Sequence, residues 1–491
     1  MSPIILKKEP KYTSKHEAFP YQEEALKTIR DLEYAAIFHE QGLGKTKIAI
    51  DLALYWLEKR IIDTVLFIVK KGLITNWRRE FEIHSHIRPR ILTQNHKANF
   101  FVFNSPARVI LAHYEAVKSE KDRMKLFLKT RDVAVILDES SKIKNPNSLL
   151  TRVFFEVAQL FKKRIIMTGT PIANRPYDIW SQIWFLDFGK SLGNDFKEFK
   201  QDLDLSNELY KDVSAQKQFE NKLKSISEKI ASFSVRETKS SGVIELPQKV
   251  IKSIKTDWEP RQLELYKQVQ NEERTLVLKE GVPTEDRADE LLKRLIRLLQ
   301  ITTNPRLIDD SYTSESGKVS YLQDLVRKIT YEKEKCIVWT SFVKNADWLK
   351  EELDEFGSCK IHGKLSMELR DRELDKFLNM RDFNVLIATP GAAKEGLTLT
   401  VANHVIFYDR SFSLDDYLQA QDRIHRISQE ETCYIYNLIM NDSIDEWIDV
   451  LLYSKELAAQ LGQGDISLEY YNSKKSYDFG EIVRNILSIK E

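Results

Sequence analysis

Cysteine is scarce. The 491-residue chain has three, Cys336, Cys359 and Cys433, and no C-x-x-C pair, which argues against a zinc ribbon or a disulfide framework. Free thiols in a reducing compartment are the expectation. Long apolar runs are absent: nothing approaches the roughly 18 residues of a membrane span. The N-terminal "MSPIILKKEP" has an apolar run too short for the core of a signal peptide. Charge of one sign is also missing, because 75 Lys and Arg meet 74 Asp and Glu for a formal net charge of +1. No global field therefore draws the chain to nucleic acid or membrane, and any nucleic-acid site must be a local basic groove. There is no repeat of fixed period and no low-complexity tail. These absences describe a protein of the cytoplasm or nucleoid with no membrane role.

Short β-branched runs, by contrast, recur in two blocks. The first holds "AAIFH" (35–39), "TVLFIVK" (64–70), "RVILAHY" (108–114), "VAVILDE" (133–139) and "RIIMTGT" (164–170). The second holds "KCIVWTSF" (335–342), "NVLIATP" (384–390), "HVIFYDR" (404–410) and "CYIYNLI" (433–439). Continuously apolar strands suit parallel sheets covered on both faces. Helical segments alternate with them, so each block predicts an α/β lobe. Between the blocks, amphipathic charged stretches such as "AQKQFENKLKSISEKIA" (215–231) and "RADELLKRLIRLLQ" (287–300) predict a mainly helical insertion. The expected organisation is lobe one at 1–188, helical insertions and linker at 189–308, and lobe two with C-terminal helices at 309–491.

The segment "IFHEQGLGKTKIAI" (37–50) carries the tail of a phosphate loop, G-x-x-x-x-G-K-[ST], with His39 where the first glycine belongs. It follows one expected strand and opens an expected helix, whose backbone N–H groups and dipole favour a polyphosphate. Gly42, Leu43 and Gly44 would form the tight backbone. Lys45 would reach the β/γ-phosphates and the Thr46 hydroxyl a Mg²⁺ ion. Some 90 residues later "VAVILDES" ends a strand in Asp138 and Glu139. Read alone they are two solvated acids; beside a phosphate loop, Asp138 would hold Mg²⁺ and Glu139 would deprotonate the attacking water. In "QAQDRIHRISQ" (419–429), Arg423 and Arg426 stand three apart, on one face if the stretch is helical. Such guanidinium groups stabilise charge on a transferring phosphoryl group.

The order of segments along the chain resembles the Swi–Snf branch of the superfamily-two helicase-type ATPases. "FPYQEEAL" (19–26) resembles that family's adenine-reading segment and "HEQGLGKT" its D-E-M-G-L-G-K-T loop, where the first glycine is normally absent. "FIVKKGLITNWRREFE" (67–82), "LAHYEAV" (111–117), "LDESSKIKN" and "MTGTPIANRPYDIWSQIWFL" (167–186) come next in the family's order. So do "ASFSVRETK" (231–239), "LLQITTNPRLI" (298–308), "SGKVSYLQDL" (316–325), "IVWTSF" (337–342), "IHGKLSMELRDRELDKF" (361–377) and "LIATPGAAKEGLTLTVANHVIFYDR" (386–410). Departures are Ser140-Ser141 after the acidic pair, Ala393-Lys394 for two glycines, Thr398 for asparagine and Phe412 for tryptophan.

The resemblance implies two RecA-like lobes binding ATP and Mg²⁺, with Gln22 on the adenine and Gly396 and Gln419 near the γ-phosphate. It implies a nucleic-acid track using Lys71, Asn76, His113 and Tyr114 in lobe one and Ser341, Lys364, Thr389 and Thr398 in lobe two. The function expected is ATP-driven movement of a monomeric motor on double-stranded DNA, without net strand separation, directed by a protein partner. Alternatives are a strand-separating DNA or RNA helicase and a nucleotide-gated, non-hydrolysing scaffold.

Overall fold

The computed structural model describes residues 9–172, 174–204, 213–272, 274–279, 282–287, 291–393 and 397–474. The chain forms two compact units. One comprises residues 1–205, 212–245 and 458–471; the other comprises 206–211, 246–457 and 472–491.

The first unit is built on seven parallel strands: β1 Tyr34–Ile37, β2 Thr64–Val69, β3 Arg90–Ile91, β4 Val109–His113, β5 Val133–Asp138, β6 Lys163–Met167 and β7 Ser234–Val235, ordered β3-β4-β2-β5-β6-β1-β7. The β2 and β5 runs are buried from end to end, as strands covered on both faces must be. Register decides which loops meet. Ile37 and Asp138 both pair with Met167 of the strand between them. The loop leaving β1, the acids ending β5 and the residues after β6 therefore emerge together at the carboxyl edge, where parallel sheets place ligands.

The second unit carries β8 Lys249–Thr256, β11 Cys336–Trp339, β12 Ser358–Ile361, β13 Val385–Ala388, β14 His404–Phe407 and β15 Cys433–Met440, all parallel and ordered β12-β13-β11-β14-β15-β8. A separate antiparallel pair is formed by β9 Arg274–Lys279 and β10 Val282–Arg287. The cysteines are buried free thiols on β11, β12 and β15. Burial pushes Cys336 up to about 12 and Cys359 up to about 11, so neither is a thiolate nucleophile. Among the described residues no helix is long and apolar enough to cross a membrane.

Two expectations about organisation need correction. The stretch 189–308 is not one insertion, because pairing divides it. β7 bonds to β1 and belongs with the first unit, whereas β8 pairs along its whole length with β15 and belongs with the second. Residues 458–471, expected in lobe two, count with the first unit. Gly462 lies so close to Ile172 and Leu223 that a Cβ would come within 2.9 Å and 2.7 Å of their methyl groups.

Candidate active site

The loop between β1 and helix Lys45–Glu58 contains two left-handed glycines, Gly42 at φ 86° and Gly44 at φ 70°. Gly44 is constrained twice, since a Cβ there would meet Gln22 Nε2 at 2.2 Å. His39, in place of the missing glycine, is buried. Burial first, and the nearby Lys45 charge second, hold its pKa down to about 4, so it fills the position as a neutral ring. Lys45 is buried, and its Nζ donates to the His39 and Glu40 carbonyls at 3.0 and 3.3 Å.

β7 and the residues after it brace this loop from its other side. Phe38 N donates to Val235 O at 2.8 Å and Glu40 N to Glu237 O at 2.9 Å. Lys239 N donates to Glu40 Oε2 at 2.7 Å. Arg236 Nη1 holds Phe38 O at 2.7 Å while Nε binds Asp465 Oδ1 at 2.6 Å.

Gln22 caps its own helix. Phe19 N donates to its Oε1, and its Nε2 faces Tyr21 Oη at 3.2 Å and Leu43 O at 3.4 Å. Both ends of the amide are thus engaged within the protein, and an adenine contact requires those bonds to exchange.

Asp138 and Glu139 are both buried at the end of β5. Glu139 adopts φ 52°, a left-handed conformation that costs a non-glycine residue energy and clusters at functional sites. Three neighbours fix the pair, and a fourth bond holds the next residue, Ser140. Trp77 Nε1 donates to Asp138 Oδ2 at 2.8 Å, Tyr114 Oη to Asp138 O at 2.7 Å, Gln41 Nε2 to Glu139 Oε1 at 3.0 Å, and Ser140 Oγ to Gln182 Oε1 at 2.7 Å. Burial, then the adjacent Glu139 charge, pushes the Asp138 carboxyl up to about 6; the Trp77 hydrogen bond and the Lys45 and Lys70 charges oppose this.

A divalent cation fits here, because it would relieve two buried acids that repel each other. Among the described residues no group of three or more His, Cys, Asp or Glu could hold a metal. Phosphate and water would have to complete the shell, as is usual for Mg²⁺. The half-buried Thr46 opens the adjoining helix. Gln41 and Gln182 were not legible as site residues, since each partner lies tens of positions away; Trp77 stood in a segment that resembles the family's, but its bond to Asp138 was not legible.

In the second unit, Arg423 and Arg426 do not share a helical face. Their helix, Leu414–Gln421, ends before them, and both lie in the turns beyond it. They converge nonetheless on one loop. Arg423 Nε donates to Gln419 O and Nη1 to Leu397 O, at 3.2 and 3.3 Å; Arg426 Nε donates to Asp422 O at 2.6 Å and Nη1 to Thr398 Oγ1 at 3.2 Å. Gln419 is buried, with Nε2 on Asp415 Oδ1 at 2.8 Å. Gln429 is buried and acts as a staple, donating to Ala402 O at 2.9 Å. Gly396 lies outside the described residues.

The nucleic-acid candidates divide by exposure. Lys71, Asn76, Lys364 and Thr398 are exposed, and Ser341 is half-buried with its N–H on Asp409 Oδ1 at 2.8 Å. Three candidates are buried. Tyr114 is wholly buried and supports the Asp138 carbonyl; His113 is buried and caps a helix through Nδ1, accepting from Ala116 N at 3.1 Å; Thr389 is buried at the end of β13. The side chains of all three are largely covered.

Two parallel-sheet lobes, the first with a phosphate loop and an acidic pair at its carboxyl edge, define the helicase-like class of nucleotide-dependent motor folds. Residues 21–307 match the SNF2-related domain and residues 317–428 the helicase conserved C-terminal domain. The chain belongs to the SNF2-related family of helicase-like ATPases. It is 28% identical over 436 residues to an uncharacterized ATP-dependent helicase of Mycoplasma pneumoniae, covering 87% of this chain and 40% of that protein. It is 29% identical over 440 residues to the putative ATP-dependent helicase/translocase YwqA of Bacillus subtilis, covering 86% and 46%. The chain thus spans less than half the length of these relatives. Among solved structures it is similar to the Sulfolobus solfataricus SWI2/SNF2 ATPase core in complex with dsDNA, at 23% identity and a TM-score of 0.43, covering 99% of this chain and 100% of that one.

Proposed function

We propose that this chain is an Mg²⁺-dependent ATP hydrolase that moves along double-stranded DNA and displaces bound proteins without net strand separation. The observation that carries the hydrolytic part is the buried Asp138–Glu139 pair beside a glycine-shaped loop holding Lys45. Two like charges at a strand end are costly unless a cation and a proton-transfer task explain them.

In this proposal Lys45 leaves the His39 and Glu40 carbonyls for the β/γ-phosphates, because a charged acceptor binds an ammonium more strongly than a neutral one. Gly42, Leu43 and Gly44 let backbone N–H groups face the phosphates. Thr46 and Asp138 would hold Mg²⁺, which when bound would withdraw charge from the phosphate oxygens. Glu139 takes the proton of the attacking water on its carboxylate. Arg423 and Arg426, with Gln419 beside them, are the guanidinium donors proposed for a transferring phosphoryl group. Lys71, Asn76, Ser341, Lys364 and Thr398 hold the phosphate backbone. Such contacts carry no base information, so movement is independent of sequence. A monomeric motor, a protein partner that chooses the target, and a cytoplasmic, nucleoid-associated location complete the proposal.

The test is displacement of a third strand from a triplex, run beside unwinding of a forked duplex. ATP-dependent release from the triplex with an intact fork is expected. Unwinding of the fork at a comparable rate would replace this function with strand separation.

A further inference from the structure

Glu139 is gripped from the phosphate loop, and the grip comes from a residue to which the proposed mechanism gives no task. Gln41 lies midway along that loop, and its amide Nε2 donates to Glu139 Oε1 at 3.0 Å. The stem of Gln41 is held in place by the segment after β6. A Cβ added at Gly169 would come within 2.9 Å of Gln41 Cγ, 3.0 Å of its backbone N and 3.1 Å of its Cδ. Gly169 has no left-handed φ, so glycine is required there for space and not for backbone conformation. The strand register sets up this packing, because β6 lies between the strands that deliver Gln41 and Glu139. The three segments at the carboxyl edge thus lock one carboxylate oxygen: the loop provides the donor, β5 the acid, and Gly169 the gap through which the donor reaches it.

We infer that Gln41 is a positioning residue for hydrolysis, orienting the Glu139 carboxylate toward the attacking water. The chemistry is directional. An amide N–H can only donate and a carboxylate oxygen can only accept, so the bond has one polarity and one geometry. A base must be held within about 2.6–3.2 Å of the proton it takes. With one oxygen tied to Gln41, the carboxylate loses its freedom to swing, and the other oxygen is aimed. The inference rests on the proposed role of Glu139 as the base.

Gln41→Met keeps the length and lack of branching of the side chain but removes the donor. Gln41→Glu keeps the shape and places a second carboxylate against Glu139, which pushes the base out of line by like-charge repulsion. For Gln41→Met, kcat for ATP with duplex DNA is expected to fall about tenfold while the affinity for MgATP changes less than twofold. Gln41→Glu should lose roughly a further tenfold. A packing defect would instead lower the melting temperature and weaken MgATP binding along with kcat, and that pattern would overturn the positioning role. Gly169→Ala, which crowds the Gln41 stem without removing its amide, should lower kcat in the same manner and add little in a Gln41→Ala background.

The double variant Gln41→Met/Glu139→Gln separates the two ideas. If Glu139→Gln keeps only a measurable residual turnover and adding Gln41→Met lowers that residual no further, Gln41 acts through Glu139. If Glu139→Gln is inactive while Gln41→Met alone stays within twofold of wild type, the positioning role is overturned and the base stands. If Glu139→Gln turns over like wild type, the base assignment falls and this inference with it.

Discussion

Among the described residues each unit contains a buried charge cluster, and the two are built on opposite terms. In the second unit Lys318 is completely inaccessible and pairs with Asp445 Oδ2 at 2.6 Å while donating to Tyr408 O at 3.0 Å. Asp445 accepts in addition from Thr302 Oγ1 and Met440 N, at 3.0 and 3.1 Å. Positive meets negative, and polar neighbours complete the coordination. In the first unit two acids stand side by side, one of them in a strained backbone conformation, while the near cation Lys45 is bonded to loop carbonyls. A closed cluster specifies a fold. A like-charged one resists its own burial and is retained where a ligand relieves it.

Four substitutions sharpen or break that comparison, from the largest expected effect to the smallest. Glu139→Gln should lower ATP turnover by about 10²–10⁴-fold through loss of the general base, with nucleotide binding within about twofold by calorimetry; near-normal turnover would remove the special status of the first cluster. Lys318→Met should strand the Asp445 charge and cost about 3–5 kcal/mol in denaturant unfolding, so a loss below about 1 kcal/mol would mean the second cluster is not closed.

Asp138→Asn should have the opposite sign, making the nucleotide-free protein more stable. The folded Asp138 titrates near 6 against 3.8 for an ordinary carboxyl. Its contribution to stability is therefore complete below about pH 4 and is lost as pH rises through about 6. Variant and wild type should melt together at pH 4, and the variant should be stabler by on the order of 1–3 kcal/mol at pH 8, while losing Mg²⁺-dependent stabilisation by ATP. An equal melting temperature at pH 8 would contradict the repulsion. Tyr114→Phe removes one buried donor to the Asp138 carbonyl and should cost about 1 kcal/mol. Duplex affinity should be unchanged; a clear loss of DNA binding with normal stability would restore Tyr114 to the track.

Much of this architecture was legible. Unbroken apolar runs such as "TVLFIV" and "VAVILD" read directly as buried parallel strands, and the GKT and Asp-Glu segments lie where β1 and β5 end. β8, "KVIKSIKT", carries no such signal because its exposed edge position allows lysines along the strand. β3 and β7 are two residues long, too short to leave a pattern. Arg423 and Arg426 have a spacing that suits a helix, yet three-residue backbone bonds from Arg423 N to Ala420 O and from Ile424 N to Gln421 O tighten the chain into turns there. The indole of Trp77 and the amide of Gln41 reach acids 61 and 98 residues away. Only the assembled sheet could bring them into view.

The most direct test is ATP turnover with linear duplex DNA, single-stranded DNA and RNA, for wild type and for Lys45→Ala. Duplex DNA should raise the wild-type rate several-fold, with the stimulation falling steeply as salt rises because phosphate contacts release counterions, and Lys45→Ala should be inactive on every polymer. Stimulation by RNA alone, or a Lys45→Ala rate equal to wild type, would contradict a duplex-driven motor powered from the carboxyl edge of the first sheet.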